Sequence, residues 1–364
     1  MIYFFKFLFI SLYLVFPEKI LANNIYFIEN NEVVVSQQDI LEAREIAKKI
    51  VFKEAFMKLL KIISHTNEQE KFFANSEINY SELIRDYSIE KEEYFNFEYK
   101  ALINVNFDGE KINSFLQDMN LDFSGTSSEE YLVLPIHYHL NTYFLWEKNN
   151  KWYHSLKKEH KENSLLKLYF PNLSILNKFK ISFDDALNNN VSAIEDILLF
   201  YDKKSALIIF LDEKFDFKTE SFISNLNIKV FSDGMFKELS LSNKNFSDYL
   251  SKKSEIDFFA KLSLDELNDW WKNIITVSSD KERINTFKVN FNFNDFEESI
   301  NIQNVLQKNS FIKKLDTVHF SKQSITYNIS TYGSIEKLKL ALRSINLKIE
   351  PIEKSMSYKL MKLE

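Results

Sequence analysis

The sequence predicts an α+β protein built from several small domains, and three observations predict it. Segments with helical apolar periodicity alternate with shorter strand-like runs along the chain. In the middle, strand, helix and strand follow one another, which implies a local α/β unit with parallel strands. The last region reads strand, helix, strand, strand, helix, strand, the order of a ferredoxin-like, split βαβ arrangement. A chain of 364 residues has room for two or three domains at roughly 100–200 residues each. The expected division is a signal peptide over 1–22, an amino-terminal α+β domain over 23–125 and a middle α/β domain over 126–244. A helical connector over 245–280 and a carboxy-terminal ferredoxin-like domain over 281–364 follow.

Residues 1–22 read as a secretory signal. Lys6 supplies positive charge, Phe7 to Phe16 is an apolar run of h-region length, Pro17 ends it, and Ala22 offers the small residue that signal peptidase requires. The run is shorter than the ~20 apolar residues of a spanning helix. The mature chain is therefore expected in the periplasm, without a transmembrane segment.

Ile25 to Val35 has the β-branched character of one or two short strands. Ile40, Ala43, Ala47, Ile50, Val51, Phe56, Leu59, Leu60 and Ile63 then recur at helical spacing and predict a helix packed on one side. Ser64 to Glu90 is polar and irregular and is expected as loop with a short helix. Phe97 to Phe107 alternates as a half-buried strand, and Asp108 is placed to cap the helix that contains Ile112, Phe115 and Leu116. Gly125 to Glu129 has linker composition.

The continuous apolar run Tyr131 to Ile136 fits a strand covered on both faces. Further strands are expected at Thr142–Trp146, Leu165–Phe170 and Ala206–Leu211, with a helix over Trp152–Lys161. Ser182/Asp185, Ser192/Glu195 and Ser263/Glu266 have capping-box spacing. Phe215 to Leu241 reads as antiparallel strands turning near Asp233-Gly234, and about Asn245 to Ile275 as helix. The last region divides into Phe287–Phe293, Asp295–Gln307, Phe311–Phe320, Ser324–Ser330, Ile335–Ile345 and Leu347–Ile349.

Composition excludes several kinds of chemistry. The chain has no cysteine, which removes thiol nucleophiles, disulfides, cysteine zinc sites and iron–sulfur clusters. The net charge of −6 and the lack of a Lys/Arg block argue against nucleic acid as a partner. Gly109, Gly125, Gly234 and Gly333 are too far apart for a dinucleotide or phosphate loop.

Several pieces of the chain resemble bacterial envelope proteins carrying domain of unknown function 2066. They are Ala43–Ala47, Tyr99–Phe107, Leu132-Val133-Leu134-Pro135, Leu145-Trp146, Trp152, Leu168–Pro171, Asp184-Asp185-Ala186, Tyr332-Gly333, Leu338, Leu342 and Leu347. The resemblance spans nearly all of the mature chain. It implies export and a multidomain α+β architecture, and no catalytic residues. Ser299 departs from it, standing where the family often has Trp.

Candidate sites are few. His137 and His139 are the best metal candidates, because spacing two on a strand points both side chains the same way. His154 and His160 follow nearby. No HExxH occurs, and no acid stands at a standard ligand spacing, so strand-end histidines without a metal are the expected outcome. Ser-x-x-Lys occurs at Ser88–Lys91, Ser155–Lys158, Ser278–Lys281 and Ser334–Lys337, as chance gives in a chain rich in both residues. Asp184-Asp185 suits a helix start, and Glu129-Glu130 suits solvent. Trp271 falls on the face of Leu264, Leu267 and Ile274, while Trp270 lies ~100° round and could mark a partner surface.

No catalytic, cofactor-binding or metal residue is assigned on this basis, and no cofactor is expected. The leading expectation is a non-catalytic envelope protein that binds another envelope protein or a cell-wall component. The alternative is an envelope hydrolase with an unrecognised site around His137 and His139.

Overall fold

The computed structural model describes residues 25–73, 78–218, 220–239, 255–276, 284–307, 309, 311–353 and 355–363. The expected signal peptide (1–22), residues 245–254 of the expected connector helix, and Ser278–Lys281 lie outside them. The protein is a multidomain α+β fold with three sheets.

The first sheet is antiparallel, in the order β1 (Phe27–Ser36), β3 (Glu98–Phe107), β2 (Ile84–Phe95). Helix α1 (Ile40–Ile63) packs on β1 and β3. It starts where expected, because the Asp39 carboxylate accepts from the Leu41 and Glu42 N–H groups. Ala43, Ala47, Val51, Phe56, Leu59, Leu60 and Ile63 are buried, whereas Ile40 and Ile50 are exposed. The short helix expected between Ser64 and Glu90 is α2 (Thr66–Phe73), but a 3-10 turn and the long strand β2 follow it where loop was expected. Almost all of β2 is exposed, so it carries no alternating apolar face to read. It joins β3 through Asn96-Phe97, both at positive φ, so Phe97 belongs to the turn. After β3, Asp108 caps α3 (Gly109–Asp118) as expected. A Cβ at Gly109 would lie 2.8 Å from the Tyr26 ring, so that close approach needs glycine.

Gly125 to Glu129 is not an exposed linker. Ser124, Thr126 and Ser128 are buried, the Ser124 N–H donates to Ile63 O at 2.7 Å, and the Ser128 N–H donates to Leu165 O at 2.8 Å. One apolar cluster runs from β1 and α1 through the middle sheet to α8 (Glu255–Ile275).

The middle sheet has the order β5 (Thr142–Phe144), β4 (Glu130–His139), β7 (Ser205–Asp216), β8 (Ser221–Ser232), β9 (Met235–Leu239), with β6 (Lys167–Tyr169) also on β4. β4 and β7 are parallel, as the strand–helix–strand order implies. Helix α4 (Lys151–Glu159) and α8 cover one face, where Val133, Leu207, Ile209 and Trp152 are buried. Helices α6 (Phe183–Leu187) and α7 (Val191–Phe200) cover the other, against Leu132, Leu134, Ala206 and Ile208. A further helix, α5 (Ile175–Lys180), was not expected. Ser182 and Asp185 form the expected capping box. Ser192 does not cap α7, because Asn190 does. Ser263 is interior to α8 and donates to Phe259 O. β8 and β9 turn at Asp233-Gly234, both at positive φ, as expected.

The last sheet has the order β11 (Ile312–Phe320), β12 (Ser324–Tyr332), β10 (Ile284–Asn292), β14 (Ser357–Lys362), β13 (Leu347–Pro351). Helices α9 (Phe296–Gln307) and α10 (Ile335–Arg343) share its buried face. The expected element order is present, but the strand order differs from the ferredoxin-like one. There the fourth strand lies beside the first. Here β14, a strand the sequence reading did not identify, is wedged between them, parallel to β10 and antiparallel to β13. Among the described residues, no helix is long and apolar enough to cross a membrane.

Candidate functional site

The structure brings His137 and His139 together with an acid that the sequence reading missed. His137 and His139 end β4, and Glu213 lies on β7, where the parallel pairing runs to Tyr138 and Asp212. All three side chains project on the face covered by α4. Glu213 Oε2 is 2.6 Å from His137 Nε2 and 2.9 Å from His139 Nδ1. The imidazoles stack with ring centroids 5.5 Å apart. His137 and Glu213 are buried, and His139 is half-buried.

Local sequence explains the precision of the arrangement. Leu140-Asn141, both at positive φ, return the chain in a two-residue turn that pairs His139 with Thr142 and His137 with Phe144. β4 is thus held between β5 and β7 where the histidines stand. The cluster lies toward the carboxyl ends of two parallel strands, where open α/β sheets place their ligands. Ser224 of β8 sits opposite Glu213 in the antiparallel register, and its buried hydroxyl has no hydrogen-bond partner.

Burial alone would push the Glu213 carboxyl up. The hydrogen bond and charge of His137, joined by those of His139, outweigh it and hold the carboxyl below its ordinary range. Among the described residues, this is the one place where three metal-ligating groups converge.

The other candidates resolve into structural roles. His154 Nε2 is 2.8 Å from Lys148 O. Ser155 Oγ and Lys158 Nζ each donate to Asp257 at 2.6 Å, clasping α4 to α8. Ser334 caps α10 by accepting from the Lys337 N–H, and Ser88 and Lys91 lie on β2. Glu129 accepts from Ser205 Oγ, and Glu130 pairs with Lys203. Trp271 is buried as expected. Trp270 is half-buried, edge-on to Tyr131 with ring centroids 6.4 Å apart, and so is no exposed handle.

His160 ends α4 beside the Phe170 ring, and burial lowers its pKa. Its folded pKa lies below the unfolded value near 6.5. As pH falls through that value, the unfolded chain takes up the proton first, so stability falls until the folded pKa is passed. His160→Gln is expected to lose less stability than the wild type between pH 7 and pH 5. Urea midpoints at both pH values check this, and equal losses in the two proteins would refute it.

No protein-family model matches the chain, and no curated protein is similar to it in sequence at a significant level.

Proposed function

We propose that the protein is an exported, periplasmic envelope component that docks another envelope protein and has no catalysis of its own. The signal-like segment and the resemblance to envelope proteins carrying domain of unknown function 2066 support export. The observation that carries the docking reading is an apolar surface on the middle domain. Ile175, Leu176 and Phe179 of α5 and Leu199 of α7 are 68–84% exposed, and Phe200 is 51% exposed. The two helices pack together, and Lys180 Nζ lies 5.5 Å from the Phe200 ring centroid. Five large apolar side chains on adjacent helices make a patch on the order of several hundred Å², a size that marks interaction sites. Lys180 on α5 favours a partner whose apolar ridge is flanked by an acid, whereas Lys178 is already paired with Glu147.

The test is in-cell crosslinking of tagged protein, with Phe179→Glu/Leu199→Glu as the comparison. The wild type is expected in the periplasmic fraction, crosslinked to one dominant envelope protein. The double variant is expected to lose that adduct while its stability stays within about 0.5 kcal/mol per substitution, as for surface changes. An adduct that survives the substitutions, or wild type that sediments with lipid vesicles and captures no protein, would overturn the reading.

The His137–Glu213–His139 cluster favours a second reading, an envelope hydrolase. Turnover of an envelope substrate by the purified protein, abolished by Glu213→Gln, would select it.

A further inference from the structure

We infer that His137, His139 and Glu213 form a binding site for one divalent transition-metal cation, with Zn²⁺ as the expected occupant. This goes beyond the docking reading and stands or falls separately from it.

The donor set fits the ion. Two imidazoles and one carboxylate suit zinc and its neighbours, whereas calcium and magnesium prefer oxygen donors. His137 Nε2, His139 Nδ1 and a Glu213 oxygen lie within 4.8 Å of one another. Zinc–ligand distances of about 2.0–2.2 Å place tetrahedral ligands roughly 3.3 Å apart, within reach of small side-chain rotations. Three protein ligands with an open fourth position describe a site that keeps an exchangeable water. The half-exposed His139 side chain gives the ion a way in.

Charge supports the same assignment. Glu213 is a buried carboxylate whose ion-pair partners are these two imidazoles. A carboxylate in so poorly solvated a place needs a cation beside it. A divalent ion supplies it.

The backbone is prepared for the task. β4 is paired on both edges at His137 and with β5 at His139, so the ligand positions are fixed before any ion arrives. The unpartnered hydroxyl of Ser224 lies across from Glu213, on the same face of the sheet. There it can donate to the carboxylate oxygen that does not hold the ion, which fixes the carboxylate's orientation.

The test uses the purified full chain, stripped with a chelator and titrated with Zn²⁺ and separately with Co²⁺. One Zn²⁺ per chain is expected by elemental analysis and calorimetry. Bound Co²⁺ should give the intense visible bands of four-coordination. His139→Ala and Glu213→Gln are each expected to weaken Zn²⁺ binding at least about a hundredfold. Ser224→Ala should weaken it about tenfold, the low end for a group that orients a ligand. His154→Ala should leave it unchanged. His139 is half-exposed, so His139→Ala remains informative even if the substitution at buried Glu213 disturbs folding, which circular dichroism would report. Failure of the wild type to bind stoichiometric Zn²⁺, or equal binding by His139→Ala, would overturn the assignment and leave a hydrogen-bonded His–Glu–His cluster.

Discussion

Trp271→Ala is expected to destabilise the protein by about 5 kcal/mol. Truncating a buried aromatic side chain costs about 3–5 kcal/mol through lost burial and the cavity left behind. Trp271 is 1% exposed, and its indole N–H donates to Thr126 O at 3.1 Å. Alanine also removes this hydrogen bond, which adds roughly 0.5–1.5 kcal/mol. The position magnifies the loss. Next to Trp271, Lys272 Nζ donates to the carbonyls of Lys61 and Ser64 at the end of α1, 3.0 Å from each. Tyr131 at the start of β4 packs edge-on to the indole, with ring centroids 6.5 Å apart. Helix α8 therefore fastens the first sheet to the middle one, and Trp271 fills the joint. Whole domains are stable by only about 5–15 kcal/mol. The variant is thus expected to unfold at a much lower urea concentration, with the first sheet and its helix separating as an earlier transition. Trp270→Ala, at a half-buried site beside it, should cost less than half as much. Equal effects at the two positions, or a single transition close to that of the wild type, would contradict this account of the joint.

The same joint shows where sequence reasoning stops. The face of α8 was legible because Leu264, Leu267 and Trp271 follow helical spacing, and all three are buried. What that face packs against was not, because Thr126 and Tyr131 are some 140 residues away and their contacts are non-local. Local elements were readable wherever at least one face is buried. Helix α1 and strands β3, β4 and β12 are such cases. Strand β2 was missed because neither of its faces is buried, and β14 because it is short and follows a turn late in the chain. Glu213 was missed for a related reason. The apolar run that marks β7 ends at Leu211, yet the strand continues to Asp216. Parity held a usable signal, since Leu207, Ile209, Leu211 and Glu213 all point to one face of the sheet. An acid in that series, beside a parallel strand that ends in His-x-His, is what sequence alone could have flagged.

Asn150→Ala is expected to cost about 2–4 kcal/mol, and Asn150→Asp at least as much. Asn150 is fully buried. Its side-chain oxygen caps α4 by accepting from the Tyr153 N–H at 3.1 Å. Its amide N–H groups reach Pro135 O at 2.9 Å, Leu145 O at 3.2 Å and Phe144 O at 3.4 Å. The Pro135 acceptor exists because of how β4 is paired. On one edge, β6 covers Glu130 to Leu132 and β5 covers His137 to His139, which leaves an opening at Pro135. Proline is tolerated there because no neighbouring strand needs its missing N–H. Its carbonyl still needs a donor, and Asn150 provides one from the start of the next helix. Losing a cap costs about 1 kcal/mol, and leaving buried carbonyls unpaired costs about 1–3 kcal/mol more. Aspartate separates the two roles. It caps a helix as well as asparagine does, so if capping were the whole function, Asn150→Asp would be neutral. Aspartate cannot donate, however, and it would turn a carboxylate toward three carbonyl oxygens. Chemical denaturation of the three proteins decides the matter. Stability near wild type for Asn150→Asp would reduce Asn150 to a helix cap. A loss equal to or larger than that of Asn150→Ala would identify it as the donor that closes the gap in β4, two residues before His137.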